Sequence, residues 1–216
     1  MTPVSADERV EELWLATFQR AVGRASHDVK DALNGVSVNL EVIRGRAARP
    51  DTPASAVEQF AEAAGHQLER LTTLLDAVLA LGRAERQPVD VALTLRRIAT
   101  VCSASSSSAD AEVLVDLDGV ESAPTSVAGD AVRLALAAPV LELVVGTDQA
   151  SRATPVRCVV REHGSATTVT IAAEGRRAAM PEAVAGALRA AGVRWSDEEQ
   201  GGTAVRTDLS LVFPRA

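Results

Sequence analysis

His27, Asp28, Lys30 and Asp31 fall within the stretch "ASHDVKDALN", which runs from Ala25 to Asn34. At neutral pH an imidazole is a nucleophile, and an adjacent carboxylate can orient it or accept its proton. Lys30 is the single lysine of the whole sequence. Asp31 stands one helical turn beyond His27, at the i, i+4 spacing that brings side chains together. These residue types permit nucleophilic or acid–base chemistry centred on His27. The bland alternative is a solvated helix face carrying ordinary i, i+3 and i, i+4 charge pairs.

The element that must position this cluster is a long helix. Asp7 to Arg46 contains no proline, and Val22, Ala25, Val29, Ala32/Leu33, Val36, Leu40 and Ile43 recur every three or four residues. At 1.5 Å per residue such a helix is a rod of roughly 60 Å, too long to stand without a partner. With about 100° per residue, His27 lies about 200° from both Ala25 and Val29 and about 180° from Val36, so it points away from the apolar stripe into water. His66 also lies off its stripe and reads as an ordinary surface residue. "RPDTPAS", Arg49 to Ser55, marks a turn. A second periodic segment follows from Ala56 to Glu85, striped by Val57, Phe60/Ala61, Ala64, Leu68, Leu71, Leu74/Leu75, Val78 and Leu81. The two segments predict an antiparallel helical hairpin, which a second copy would complete into a four-helix bundle as a homodimer.

After Gln87-Pro88 the pattern changes. A shorter helix is expected in "VDVALTLRRIATVCSA", a loop at "SSSS" (105–108), a strand in "EVLVDLDG" and a strongly apolar helix in "GDAVRLALAAPVLELVVG". "TPVRCVVREHG" and "SATTVTIAAEG" predict a β-hairpin about His163-Gly164. A helix over 180–192 stops at Gly192, and "TAVRTDLSLVFP" closes the chain as a strand. The fold class is therefore α+β: a helical-hairpin domain over 1–87, and a small α/β sandwich over 88–216.

Composition narrows the function classes. Hydrophobic residues make up 47% of the 216, yet aromatics only 2%, with no Tyr, so the core is built from Ala, Leu and Val. A net charge of −7 and a pI near 5.1 speak against a nucleic-acid partner. Cys102 and Cys158 sit in apolar runs and read as buried reduced thiols. The first residues show no apolar signal region. The run from Leu134 to Val145 is too short to span a bilayer and contains Glu142. The expectation is a soluble, cytoplasmic protein with no membrane and no nucleic-acid partner.

With these residues in view, "SHDVKDALNGV" resembles the H-box of bacterial sensor histidine kinases: His, an acid, an apolar residue, a basic residue, then Asn or Thr and a further apolar residue. His27, Asp28, Val29, Lys30 and Leu33 match, and the hairpin over about 7–86 resembles that family's dimerisation and histidine-phosphotransfer domain. The second domain resembles the family's ATP-binding domain without its motifs. Where the apolar helix would carry the asparagines of the N-box, the positions fall near Val140 and Val144. Ala173 stands where an aspartate binds adenine, with Gly175 retained, and the glycine-rich lid has no counterpart. "GGTAVRTDLSLVFP" resembles the closing Gly-Gly-Thr and last strand.

The combination resembles histidine phosphotransferases derived from degenerate histidine kinases. The resemblance implies a phosphorelay in which His27 accepts a phosphoryl group from a receiver-domain aspartyl phosphate and passes it to another receiver, without binding ATP and with no cofactor or metal of its own. It further implies that Asp28 orients the imidazole, that Lys30 stabilises phosphohistidine, and that Asp31, Asn34 and Val38, facing the same way, help dock response-regulator receiver domains. Asp31 replaces the Asn or Thr that positions water for dephosphorylation in the family, which counts against phosphatase activity. The alternatives are a dimeric receiver-binding adaptor or inhibitor without catalysis, and a divergent ATP-dependent histidine kinase.

Overall fold

The computed structural model describes residues 5–51, 53–83, 88–103, 112–145, 154–200 and 206–216. Helix α1 runs from Ala6 to Ala47. Its start is a capping box: the Ser5 hydroxyl accepts the Glu8 amide at 3.2 Å while the Glu8 carboxylate accepts the Ser5 amide at 2.8 Å. The hydrogen bonds from Ser5, that of its amide foremost, hold the Glu8 carboxyl below its ordinary range. Asp7 and Glu8 in the first turn and Arg44 and Arg46 in the last complement the helix dipole. Helix α2, Ser55–Leu81, returns along α1. At the turn between them the Arg46 guanidinium donates to the Ala56 carbonyl at 2.6 Å and lies over the Phe60 ring, 4.6 Å from its centroid. Midway along the hairpin the helices come close. A Cβ on Gly35 would collide with the Gln67 side chain.

Two short strands, β1 (Val89–Asp90) and β3 (Pro124–Thr125), pair antiparallel. A five-stranded sheet contains β2 (Val113–Asp116), β4 (Val156–His163), β5 (Ala166–Ala173), β6 (Arg194–Gln200) and β7 (Arg206–Pro214), in the order β2-β4-β5-β7-β6. Only the β2–β4 pairing is parallel. Register assigns the faces: Val156, Cys158, Val160, Val169, Ile171, Leu209, Leu211 and Phe213 alternate inward and are all buried. Among the described residues three helices belong with this sheet: α3 (Val91–Ser103), α4 (Gly129–Val145) and α5 (Glu182–Ala190). Helix α4 is apolar on every side, and all of its residues from Ala131 to Leu141 are buried. That fits a central helix covered all round by α1, α3, α5 and the sheet. Gly164 and Gly192 have φ of +57° and +78°, as the tight β4–β5 turn and the end of α5 require.

The α+β architecture is thus the expected one: a long helical hairpin, then a mixed sheet with helices. The expected loop at 105–108 and the Gly-Gly of "GGTAVRTDLSLVFP" lie outside the described residues, as do 84–87 at the expected domain boundary. Strand β6 was not anticipated, and neither was the β1–β3 pair.

The core is distributed unevenly along α1. Val10, Trp14, Thr17, Ala21 and Ala25 are buried, spaced three or four residues apart. They pack toward α3, α4 and α5, with Leu74, Ala77 and Leu81 of α2 completing the seam. Trp14 and Phe18 stack with centroids 5.3 Å apart. An apolar cleft at this seam is lined by Trp14, Phe18, Ala21, Leu81, Ile98 and Ala137, among others. After Ala25 no α1 residue is buried. Leu33, Leu40, Leu68, Leu75 and Leu79 keep 45% to 60% of their surface exposed. Four of these, all but Leu79, belong to the stripes expected to be core. Within one chain those stripes are only half covered. No helix among the described residues is long and apolar enough to cross a membrane.

Candidate functional site

His27 is exposed and lies two residues past Ala25, the last buried residue of α1. The helical angle deduced from the sequence holds: the imidazole faces water because the apolar neighbours occupy the opposite side. Helix α1 is continuous through this point, so the His27 backbone is fixed within a regular turn. Lys30, Asp31, Asn34 and Val38 are exposed as well, Val38 at 59%. At 40° or less from His27 around the helix, by about 100° per residue, Asp31, Asn34 and Val38 share its face.

Asp28 is different. Its side chain is only 12% exposed, and its carboxylate accepts a hydrogen bond from the Arg70 guanidinium of α2 at 2.7 Å. A carboxylate so far out of water needs a charge partner or hydrogen-bond donors to stay ionised. Arg70 supplies one from across the hairpin while keeping 64% of its own side chain exposed. Half-buried Val29, next along, packs against the seam. One turn before His27, Arg24 lies close enough to Cys102 of α3 for its charge to act on that thiol. Helix α3 therefore reaches to within a turn of His27. Arg20, two turns before it, meets Glu142 of α4 at 3.4 Å.

On α4 and β5, Val140, Val144 and Ala173 are buried at 0%, 1% and 2% exposure. Apolar side chains inside the core offer no ligand to a metal or a phosphate. Beside them Gly175 has φ +69°, and Arg176 donates from its guanidinium to the carbonyls of Leu143 and, at 2.7 Å, Thr154. Burial lowers the Arg176 pKa from its ordinary value. The side chain ties the end of α4, where the helix dipole is negative, to the start of β4. Among the described residues no three His, Cys, Asp or Glu side chains gather as metal ligands. A separate open cleft of about 640 Å³ is lined by Asp118, Glu121, Arg161, Glu162, His163 and Arg215, among others. Its charges are matched internally, Arg161 with Asp118 and Arg215 with Glu162, each at 3.1 Å. It includes no residue of α1 or α2.

The sequence singled out His27 and its neighbours as candidates and did not single out Arg70 or Arg176. Arg70 is the one arginine or lysine of α2, among Glu58, Glu62, Glu69 and Asp76, yet nothing in its local pattern announces a partner 42 residues away. Only the axial register of the hairpin brings the two together.

No protein-family description matches the chain, and no curated protein does either. Similar solved structures include the histidine kinase AdeS of Acinetobacter baumannii, at 12% identity and a TM-score of 0.44, covering 87% of this chain and 97% of that one. A structure described as a bacterial phosphotransferase is similar at 14% identity and a TM-score of 0.40, over 98% of each chain. The histidine kinase ThkA, solved in complex with the response regulator TrrA, is similar at 11% identity and a TM-score of 0.45, over 97% of this chain and 65% of that one. What this chain does is read from its own residues.

Proposed function

We propose that the protein is a phosphorelay histidine phosphotransferase, homodimeric through its hairpin, with His27 as the phosphoryl carrier between receiver domains. The observation that carries this reading is a solvent-facing His27 next in sequence to an Asp28 held by Arg70, on a continuous helix whose next turns leave Lys30, Asp31, Asn34 and Val38 exposed. In the forward step an unprotonated ring nitrogen of His27 attacks the aspartyl phosphate in line. The P–O bond to the receiver aspartate breaks, its carboxylate leaves, an N–P bond forms, and the ring N–H proton passes to solvent. The reverse step delivers the phosphoryl group to a second receiver. Positioning supplies most of the catalysis, with metal and lysine contributed by the receiver. Asp28 orients the ring, Lys30 offsets the charge of phosphohistidine, and Asp31, Asn34 and Val38 form part of the docking face.

Two further features support parts of this reading. The buried Val140, Val144 and Ala173 favour a phosphoryl source other than ATP. The exposed leucines, Leu33 and Leu40 on α1 and Leu68, Leu75 and Leu79 on α2, are what a four-helix bundle would cover.

The test is incubation with a phosphorylated receiver and Mg²⁺. Wild type is expected to acquire acid-labile phosphate and pass it to a second receiver, and His27→Gln to acquire none. Equal transfer by His27→Gln sinks the proposal. Labelling of wild type by ATP alone would return the chain to the kinases.

A further inference from the structure

We infer that Arg70 is a positioning residue for His27, acting through Asp28. The inference deepens the phosphotransfer reading and rests on it for its biological setting, but concerns only how the nucleophile is held. Asp28 follows His27 directly, and its carboxylate is the polar group of that stretch withdrawn from water, at 12% side-chain exposure. Its contact at 2.7 Å comes from the opposing helix. A carboxylate on a lone exposed helix samples several rotamers; one tied to a second helix does not. An orienting group is only as well placed as the shell behind it, so a fixed Asp28 is a better guide for an imidazole than a mobile one.

The charge argument points the same way. Asp28 and Asp31 flank the ring from one side in sequence, and a phosphoryl group brings a charge of about −2 when it arrives. Arg70 places a permanent cation against the nearer carboxylate. Its 64% exposure leaves the guanidinium in contact with solvent while it holds Asp28. Without it, the negative charge beside the ring is less compensated and less localised, and the incoming group is repelled more.

A small phosphoryl donor separates this role from receiver docking. With phosphoramidate, the P–N bond of the donor breaks, an N–P bond forms at His27, and ammonia leaves carrying the ring proton. Rates of acid-labile phosphorylation are compared for wild type, Arg70→Gln, Arg70→Lys, Asp28→Asn and the Arg70→Gln/Asp28→Asn double variant, at a temperature where circular dichroism shows all of them folded. Arg70→Gln is expected to slow the reaction about fivefold, Arg70→Lys to recover much of that loss, and the double variant to be no slower than the slower single variant. A wild-type rate for Arg70→Gln overturns the inference, as do single defects that multiply in the double variant. A defect seen with a phosphorylated receiver but absent with phosphoramidate also overturns it, because Arg70 would then be a docking contact. If wild-type His27 reacts with phosphoramidate but with no receiver, and Arg70→Gln is slow, the relay reading falls while the role of Arg70 stands. A wild-type His27 inert to phosphoramidate overturns the inference, while the relay reading stands or falls on transfer from the phosphorylated receiver.

Discussion

At the scale of single residues, burial decides which polar groups react and which are structural. Cys102 and Cys158 are fully enclosed, and burial pushes both thiols up to about 12. Secondary effects differ: Arg24 pulls Cys102 down slightly, while Cys102 pushes Cys158 further up. At neutral pH both are protonated and therefore poor nucleophiles. Neither should react with a thiol reagent such as Ellman's in the native protein at pH 8, and both should react in denaturant. The same groups predict a pH dependence of stability. Folded thiols keep their protons up to about 12, whereas thiols in the unfolded chain lose theirs near the ordinary 9.0. Their contribution is complete below pH 9 and is lost as the pH rises toward 12. The urea midpoint should fall across that window, and fall less in a Cys102→Ala/Cys158→Ala variant. His27 is the opposite case in exposure: it faces water on a regular turn, and helical geometry alone could predict that exposure.

At the scale of elements, the two long helices and the apolar α4 were legible because their patterns are strong and local. Helix α1 has a 3.6-residue stripe and a capping box, and α4 is apolar apart from Asp130, Arg133 and Glu142. Strand β6 was not legible. Its acid-rich "SDEEQ" reads as a loop, yet its backbone forms one edge of the sheet. What holds it is non-local: register with β7, and Trp195, whose ring lies 4.8 Å from the Arg189 guanidinium of α5. The stripes on α1 and α2 also contained more than one face's worth of leucine, a surplus that periodicity reported simply as core. On the proposed dimer, each of these leucines contributes about 1 to 2 kcal/mol on full burial. Leu40→Glu combined with Leu68→Glu should weaken self-association at least tenfold. Light scattering after size exclusion would register a halved mass, while circular dichroism stays helical. An unchanged mass would remove the bundle from the proposal.

For the whole molecule, α1 serves two packings in succession. Its first half belongs to the seam with α3, α4 and α5, and its second half only to the hairpin. Trp14 is the largest side chain in that seam, so Trp14→Ala should cost about 3 kcal/mol in urea denaturation. If the seam couples both parts, the transition stays single and shifts as a whole. A second transition appearing only in the variant would show that the hairpin melts separately.

The shared helix also bears on how such a chain can be recombined. A hairpin exchanged for that of another protein would have to bring side chains matching Val10, Trp14, Thr17, Ala21 and Ala25 to the resident sheet domain. A crossover placed in the connection after α2 would separate surfaces that have been fitted to each other, leaving a tryptophan facing water on one fragment and an apolar helix uncovered on the other. For exchanging the proposed docking face, the practical joint is therefore inside α1, after Ala25. There the turns carrying Asp31, Asn34 and Val38 can be replaced together with the facing stretch of α2, without disturbing what lies behind His27.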